Sequence, residues 1–265
     1  MIRAIFFDID GTLISMKTRR FEPSLIDALH ELQAKGIRLA IASGRPPVQL
    51  PLLGESFNAY PWDAYVMMNG QYCMDQERQV FYRLPIPKEA LESLVPWLKE
   101  HADYPCSFYE LSYSYDIAWN QGMYEYLKSI GKEDTMAPVD DPIRALTHET
   151  YQICPYIPPE MDAEWLKHAP GMKSARWTDQ FADMIPAEGG KPEGIRRVLE
   201  RWNLTPEECM TFGDGGNDIS MLAFAGTGVA MGQAADEVKQ AADYVTDACE
   251  DDGILKAFRH FGLLE

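Results

Sequence analysis

A chain of 265 residues is long enough for one large domain or two ordinary ones. With 46% hydrophobic and 25% charged residues it belongs among folded globular proteins, outside the disordered and fibrous classes. Its formal charge of -17 and pI near 4.7 argue against nucleic acid or an anionic membrane as partner, because both require a positive field.

Cys73, Cys106, Cys154, Cys209 and Cys249 are scattered and form no C-x-x-C pair. Neither a disulfide framework nor a zinc site is indicated, and a reducing cytoplasm is the expected location. Asp8 and Asp10 interrupt the apolar start that a signal peptide needs, and no later run approaches the ~20 apolar residues of a membrane span.

Ile2 to Phe7 is predicted as a strand buried on both faces, short, continuously apolar and closed by a turn signal. The segment SLIDALHELQAKG follows as a helix, with Ser24 available to cap its start, Leu25, Leu29 and Leu32 on one face, and Gly36 suited to the left-handed residue after its end. Ile37 to Ser43 and Ala64 to Gly70 read as further buried strands. Strand, helix and strand in this order imply right-handed crossovers and a parallel sheet, in which ligands bind beyond the carboxyl ends of the strands. Asp8, Ser43 and Asn69 all fall at that end.

The texture changes from about Leu84. PKEALESLVPWLKEHAD and MYEYLKSIG read as helices, and CSFYELSYSYDIAW as one or two aromatic strands. YQICPYI, EMDAEWLKHA and KSARWTDQFADMI then read as strand, helix and strand. This is an α+β module, and RLPIP before it and MIPAEGG after it make suitable linkers. After Gly190 the doubly wound pattern resumes: helix 192–202, strand CMTFGD, helix DISMLAFAG, strand TGVAM, helix AADEVKQAA, strand DYVT and a terminal helix. An α/β core interrupted by an inserted cap is the simplest architecture.

Two acidic clusters follow strands. Asp8 and Asp10 are two apart, so both side chains fall on one side while the chain stays extended. Two carboxylates that close require either a shared proton or a cation. Asp-Gly is equally a common turn pair. In TFGDGGNDIS, Asp214, Asn217 and Asp218 face the same rim if their strand neighbours the first; a glycine-rich turn with Asp218 as helix cap is the plainer alternative. Oxygens on strand ends with room for water suit Mg²⁺, whereas Leu13 and Ile219 occupy the positions at which an EF-hand loop needs glycine. Ser43 and Gly44 could hold a phosphate oxygen or simply turn the chain before Pro46 and Pro47. Lys191 precedes Pro192 at a helix start, where exposed amides favour anions.

Taken in order, FFDIDGTL, IASGR, Lys191 and GDGGND resemble the haloacid dehalogenase-like (HAD) phosphatase superfamily, specifically its Cof-type members with a large cap between the second and third motifs. MNG at Met68 to Gly70 and GVAMGQA extend the likeness, which covers the whole chain and is nearest to bacterial sugar-phosphate (hexose phosphate) phosphatases. The resemblance implies a doubly wound, Rossmann-like α/β core over residues 1–83 and 187–265, with a C2-type α+β cap over 84–186.

By that resemblance Asp8 is the nucleophile that forms an aspartyl-phosphate, and Asp10 is the general acid and then base. Asp8, the backbone carbonyl of Asp10 and Asp214 are implied Mg²⁺ ligands, with Asp218 supporting. Thr12, Ser43, Gly44, Lys191 and Asn217 match positions that hold the phosphate or the nucleophile. Relatives commonly carry Lys-Gly at the third motif; here Pro192 biases Lys191 toward an extended backbone. The expected partner is a small phosphorylated molecule, met by a monomer or weak homodimer. Specificity is expected in the cap and around Asn69, with Glu110, Tyr113, Trp119 and Asp183 as candidates. A phosphomutase using the same intermediate and a non-catalytic sugar-phosphate sensor are the alternative readings.

Overall fold

Alternation along β1 (Ala4–Phe7) explains why the chain folds in layers: Ile5 and Phe7 enter one apolar cluster while Ala4 and Phe6 enter another on the opposite face of the sheet. The computed structural model describes residues 1–101 and 104–265. After β1 come α1 (Pro23–Ala34), β2 (Arg38–Ala42), the short α2 (Glu55–Ala59) and β3 (Ala64–Met67). β1, β2 and β3 pair in parallel, as the crossover rule requires. Pro23 occupies the first turn of α1 and Glu22 the cap position, so Ser24 lies inside the helix and does not cap it. Gly36 takes the left-handed conformation expected after the helix end, at φ 84°.

The third strand is shorter than its apolar run suggests. Met68 and Asn69 both adopt positive φ, 50° and 54°, which ends the strand at Met67 and turns the chain back. A hairpin of β4 (Tyr72–Asp75) and β5 (Val80–Arg83) then adds two antiparallel strands at the sheet edge. Sequence patterning gave no sign of this hairpin.

The inserted segment builds its own sheet. It contains α3 (Lys88–Glu100), β6 (Cys106–Tyr109), β7 (Ser114–Asp116), α4 (Gln121–Ser129), β8 (Gln152–Pro155), α5 (Asp162–Lys167), β9 (Met172–Ala175) and β10 (Asp183–Pro186). The five strands run β7-β6-β8-β10-β9 and every pairing is antiparallel. The end of the predicted helix at Ala102 and Asp103 lies outside the described residues. The stretch 173–185, expected as one strand, is a hairpin of β9 and β10. β10 also takes Met184 to Pro186 from the expected second linker, leaving Ala187 to Gly190 as the connection. Leu94, Phe108, Tyr115, Ile153, Trp165 and Met184 form the apolar centre of this cap.

α6 (Lys191–Trp202), β11 (Cys209–Gly213), α7 (Ile219–Phe224), β12 (Thr227–Ala230), α8 (Asp236–Gln240), β13 (Tyr244–Val245) and α9 (Gly253–His260) complete the first sheet, ordered β13-β12-β11-β1-β2-β3-β4-β5. β11 joins the free edge of β1 in parallel, so the two acidic motifs end side by side. On one face Phe7 stacks on Phe212 with ring centroids 5.3 Å apart, and Trp62 and Phe258 meet Phe7 edge-on. On the other, Ile195, Val198 and Leu199 of α6 cover Phe6 and Val66. No helix among the described residues is long and apolar enough to cross a membrane.

Gly194 brings α6 against the turn that ends β3. A Cβ there would collide with the Val66 side chain and lie 2.8 Å from the Gly70 Cα. Gly194→Ala is therefore expected to destabilise the protein by about 1–2 kcal/mol, an overpacking cost of ~1–3 kcal/mol offset in part by the ~1 kcal/mol gain in helix propensity. Urea unfolding monitored by circular dichroism checks this; an unchanged or raised midpoint would show that the helix moves away at no cost.

Candidate active site

The carboxyl ends of β1 and β11 set out the acidic groups. Asp8 follows β1 and its amide donates to the Phe212 carbonyl at 2.9 Å, tying it to the neighbouring strand. Carboxylate oxygens of Asp8, Asp214 and Asp218 come within 4.8 Å of one another. Each is compensated differently. Asp218 is fully buried and accepts from the Asp214 and Gly215 amides at 3.0 and 2.9 Å and from Lys191 Nζ at 2.5 Å. Its carboxylate therefore braces the loop that leads into α7.

Lys191 is buried at the start of α6, and its Nζ also donates to Asp8 Oδ1 at 2.6 Å. Pro192 thus occupies the second helical position, and Lys191 is itself helical. Burial works to lower the Lys191 pKa, yet Asp218 and Asp8 more than reverse it and raise it above the ordinary lysine value. Asp8 is pushed the other way: burial, with Asp218 and Asp10 adding, lifts it to about 7 against the pull of Lys191. Among the described residues no hydrogen bond reaches Asp8 Oδ2.

Among the described residues Asp214 has no ion-pair partner. Its Oδ1 accepts from the Thr12 hydroxyl at 2.9 Å, and burial together with Asp8 and Asp218 raises its pKa well above the usual carboxylate range. Gly11, at φ 84°, makes room for this group, because a Cβ there would collide with the Asp214 carboxylate. An all-oxygen pair, buried Asp8 and half-buried Asp214, with Lys191 engaged on the far side by Asp8 and Asp218, fits a hard divalent cation such as Mg²⁺. The fit also corrects one expectation. The Thr12 hydroxyl is buried and spent on Asp214, so it positions that carboxylate and does not face the cavity.

Asp8, Asp10, Ser43, Gly44, Asp214 and Asn217 border a cavity of about 150 Å³ between the two sheets. Lys191 lies behind Asp8, outside this lining. Ser43 is buried at the end of β2, where its Oγ accepts from the Arg45 amide at 3.2 Å. Asn217 donates through Nδ2 to Asn69 Oδ1 at 2.9 Å. Asn69 in turn donates to Gln152 and Asp183 of the cap at 2.9 and 2.8 Å, so one amide ties the motif loop to the inserted sheet.

Asp10 sits in an unexpected clamp. Arg45 grips it through Nε and Nη2, both at 2.7 Å, and Lys132 of the cap lies 3.3 Å from Oδ1. Burial acts to raise its pKa, but Lys132 and Arg45 overrule this and hold the carboxyl far below the usual range. Arg45 is in the IASGR motif that drew attention to Ser43 and Gly44, so the motif contained it. Lys132 carries no motif; its only sequence signal is Gly131 at the end of a predicted helix.

The cap side of the cavity is lined by Tyr109, Tyr156, Trp177 and Phe181 as well as Gln152 and Asp183. Of the four expected specificity residues, Asp183 borders the cavity. Glu110 is engaged by Arg144 in a two-pronged pair at 2.6 and 2.9 Å, Tyr113 packs under the same arginine, and Trp119 is exposed away from the cavity.

The haloacid dehalogenase-like hydrolase family matches residues 5–258. YkrA of Bacillus subtilis is 33% identical over 264 residues, covering 99% of both chains. The pyridoxal phosphate phosphatase YbhA of Escherichia coli is 29% identical over 272 residues, covering 96% of each. Among solved structures, BT4131, described as a HAD subclass IIB sugar phosphatase, superposes with a TM-score of 0.90 at 38% identity, covering 99% of this chain and 100% of that one. The chain belongs to the haloacid dehalogenase-like hydrolase family, and within it to the phosphatases, enzymes that hydrolyse phosphoric monoesters.

Proposed function

We propose that this phosphatase hydrolyses small phosphorylated metabolites, sugar phosphates in particular, through an aspartyl-phosphate on Asp8 and with Mg²⁺ as cofactor. The carrying observation is Asp8 itself: a buried carboxylate lining the cavity, oriented by Lys191 through Oδ1, with no hydrogen bond to Oδ2 among the described residues. The likeness to BT4131 supports the sugar-phosphate class, and the YbhA likeness shows how readily such a scaffold serves a different leaving group. We take the core as residues 1–83 and 187–265 and the cap as 84–186.

Asp8 Oδ2 attacks phosphorus as the bond to the ester oxygen breaks, and the departing alkoxide takes a proton from Asp10. Water then attacks the aspartyl-phosphate, Asp10 removes its proton, and inorganic phosphate leaves with Asp8 restored. In the arrangement seen here Arg45 and Lys132 hold Asp10 in the form that accepts a proton; to deliver one, Asp10 has to be released by at least one of them. Ser43, the Gly44 backbone and Asn217 are placed along the cavity to bind phosphoryl oxygens. Asp8, Asp214 and the Asp10 carbonyl would hold the cation, with Asp218 holding Lys191 and the loop. When bound, Mg²⁺ supplies positive charge that keeps Asp8 ionised and balances the phosphoryl group. A single acid or base contributes only ~10²–10⁴ in rate, against enhancements up to ~10²¹ for such hydrolyses, so aligned charge has to supply most of the remainder.

Asp8→Asn keeps the shape and removes the nucleophile, and phosphate release from hexose phosphates is expected to fall by more than about 10³-fold, with the circular dichroism spectrum unchanged. EDTA should silence the wild type and Mg²⁺ restore it. Activity persisting in Asp8→Asn with Mg²⁺ overturns the nucleophile, and activity indifferent to EDTA overturns the cofactor.

Asp8 also makes stability depend on pH. In metal-free protein its folded-state pKa of about 7 lies above the ordinary value of 3.8, so the folded state keeps a proton that the unfolded chain releases. Its favourable contribution is full below about pH 4 and is lost as pH rises through about 7. Asp8→Asn lacks this loss, and its melting temperature should gain on the wild type between pH 5 and pH 8 by several degrees, at roughly 2–4 °C per kcal/mol. Differential scanning calorimetry in EDTA measures the gap; a gap independent of pH contradicts the assignment.

A further inference from the structure

The end of α4 is shaped to deliver one lysine. Gly131, at φ 59°, donates to the Lys128 carbonyl at 3.0 Å, and the Lys132 amide donates to the Leu127 carbonyl at 2.7 Å. These are the paired bonds of a Schellman turn, with Gly131 as its left-handed residue and Lys132 next in line. The position after the glycine usually carries an apolar group that folds back on the helix. Here it carries a lysine that leaves the cap and enters the cavity. The turn also rests on the core, where a Cβ at Gly131 would come within 2.7 Å of Arg19 Nη2.

Lys132 is almost wholly covered, with its side chain 12% exposed. Its Nζ stands 3.3 Å from Asp10 Oδ1 and 4.7 Å from the centre of the Trp177 ring. An ammonium has three donors. One serves Asp10, one faces the aromatic ring, and the third is available to a ligand.

Two cations share Asp10, and their grips are unequal. Arg45 makes two parallel bonds of 2.7 Å, whereas Lys132 makes one contact of 3.3 Å. A two-pronged guanidinium pair is both stronger and geometrically fixed, while an ammonium on a flexible stem re-aims easily. Lys132 is therefore the partner that yields when another acceptor arrives, and Asp10 keeps Arg45 when it does. That acceptor comes from the cap side, because the phosphoryl end of the cavity is framed by Asp8, Ser43 and Asn217.

We propose that Lys132 is the specificity-determining residue by which the cap binds the leaving group, donating to a hydroxyl or carboxylate oxygen on the carbon skeleton near the ester. The proposal rests on the phosphatase reading above. Lys132 so placed spends binding energy on the part of the substrate that does not react, and it engages only while the cap lies against the core.

The test compares ligands with and without a leaving group, in protein that cannot turn over. Binding of glucose 6-phosphate, ribose 5-phosphate and inorganic phosphate to Asp8→Asn is measured by calorimetry in Mg²⁺, then repeated with Lys132→Met and Lys132→Arg added. We expect Lys132→Met to weaken the tighter sugar phosphate about tenfold and inorganic phosphate less than twofold, and Lys132→Arg to recover most of the loss. In otherwise wild-type protein, the ratio of kcat/KM for that sugar phosphate over acetyl phosphate should fall by a similar factor, chiefly through KM. Parallel weakening of all three ligands would place Lys132 at the phosphoryl end and overturn the proposal. Unchanged sugar-phosphate binding, or no binding of either sugar phosphate to Asp8→Asn, would overturn it as well. If wild-type protein releases no phosphate from any ester while the Lys132-dependent binding persists, the phosphatase mechanism fails and the assignment of Lys132 stands.

Discussion

Carboxylates of Asp8, Asp214 and Asp218 meet within 4.8 Å of one another inside the protein, with Asp10 beside them, and every other feature of the site answers that crowding. Repulsion between two such charges is on the order of 3–4 kcal/mol at an effective dielectric of ~20, so none can stay ionised alone. Lys191 takes Asp218 and one oxygen of Asp8; Arg45 and Lys132 take Asp10. Asp214 is left with a hydroxyl, and Asp8 with a free oxygen. The residual negative charge is thus confined to the two groups that face each other across the place for a divalent cation. Backbone details follow from the same need: Gly11 has no Cβ because Asp214 occupies that space, and Gly213 has none because Asp218 lies against it.

The parallel core was legible because its signals are local. A doubly buried strand needs a continuous apolar run, and a motif at its carboxyl end needs only a few adjacent residues, so Phe6, Asp8 and Asp10 declare both strand and site. The β4–β5 hairpin was not legible, because Tyr72–Asp75 and Val80–Arg83 are short edge strands whose pairing is decided by β3 and not by their own pattern. Thr12 shows the same limit within a motif: its type and position are right for a phosphate contact, yet a carboxylate 202 residues later in the chain claims the hydroxyl. Glu110 is claimed in the same way, by Arg144 34 residues beyond it. Lys132 could not be found by spacing at all. Its role depends on how the cap lies on the core, which no periodicity reports.

Asn69 shows how the two sheets are kept in register. Its backbone is left-handed, a conformation asparagine tolerates better than most residues, and the turn aims its amide at the seam between core and cap. There it donates to Gln152 and Asp183 and accepts from Asn217, while Gln152 reaches back to the Gly44 carbonyl at 3.2 Å. The bonds from Asn69 to Gln152 and Asp183 are buried, so a cap that lifted away would have to leave them to water. Apolar contact accompanies these bonds: Tyr151 of the cap meets Tyr72 of β4 edge-on, with ring centroids 5.8 Å apart.

A surface of charge -17 should repel the phosphorylated molecules this enzyme family acts on. At physiological ionic strength, however, exposed charges are screened over a Debye length of ~8 Å, so most of the acidic surface is not felt inside the cavity. What an incoming anion meets there is Arg45 and Lys132 on the wall, Lys191 just behind Asp8, and the carboxylates that each of these already holds. Because these cations are buried, their field is screened far less than that of the surface. Long-range repulsion then slows the encounter, while the short-range groups decide what stays bound. An acidic exterior is compatible with an anionic substrate provided that the cations are placed inside, and in this chain one of the three has to be carried there by the cap.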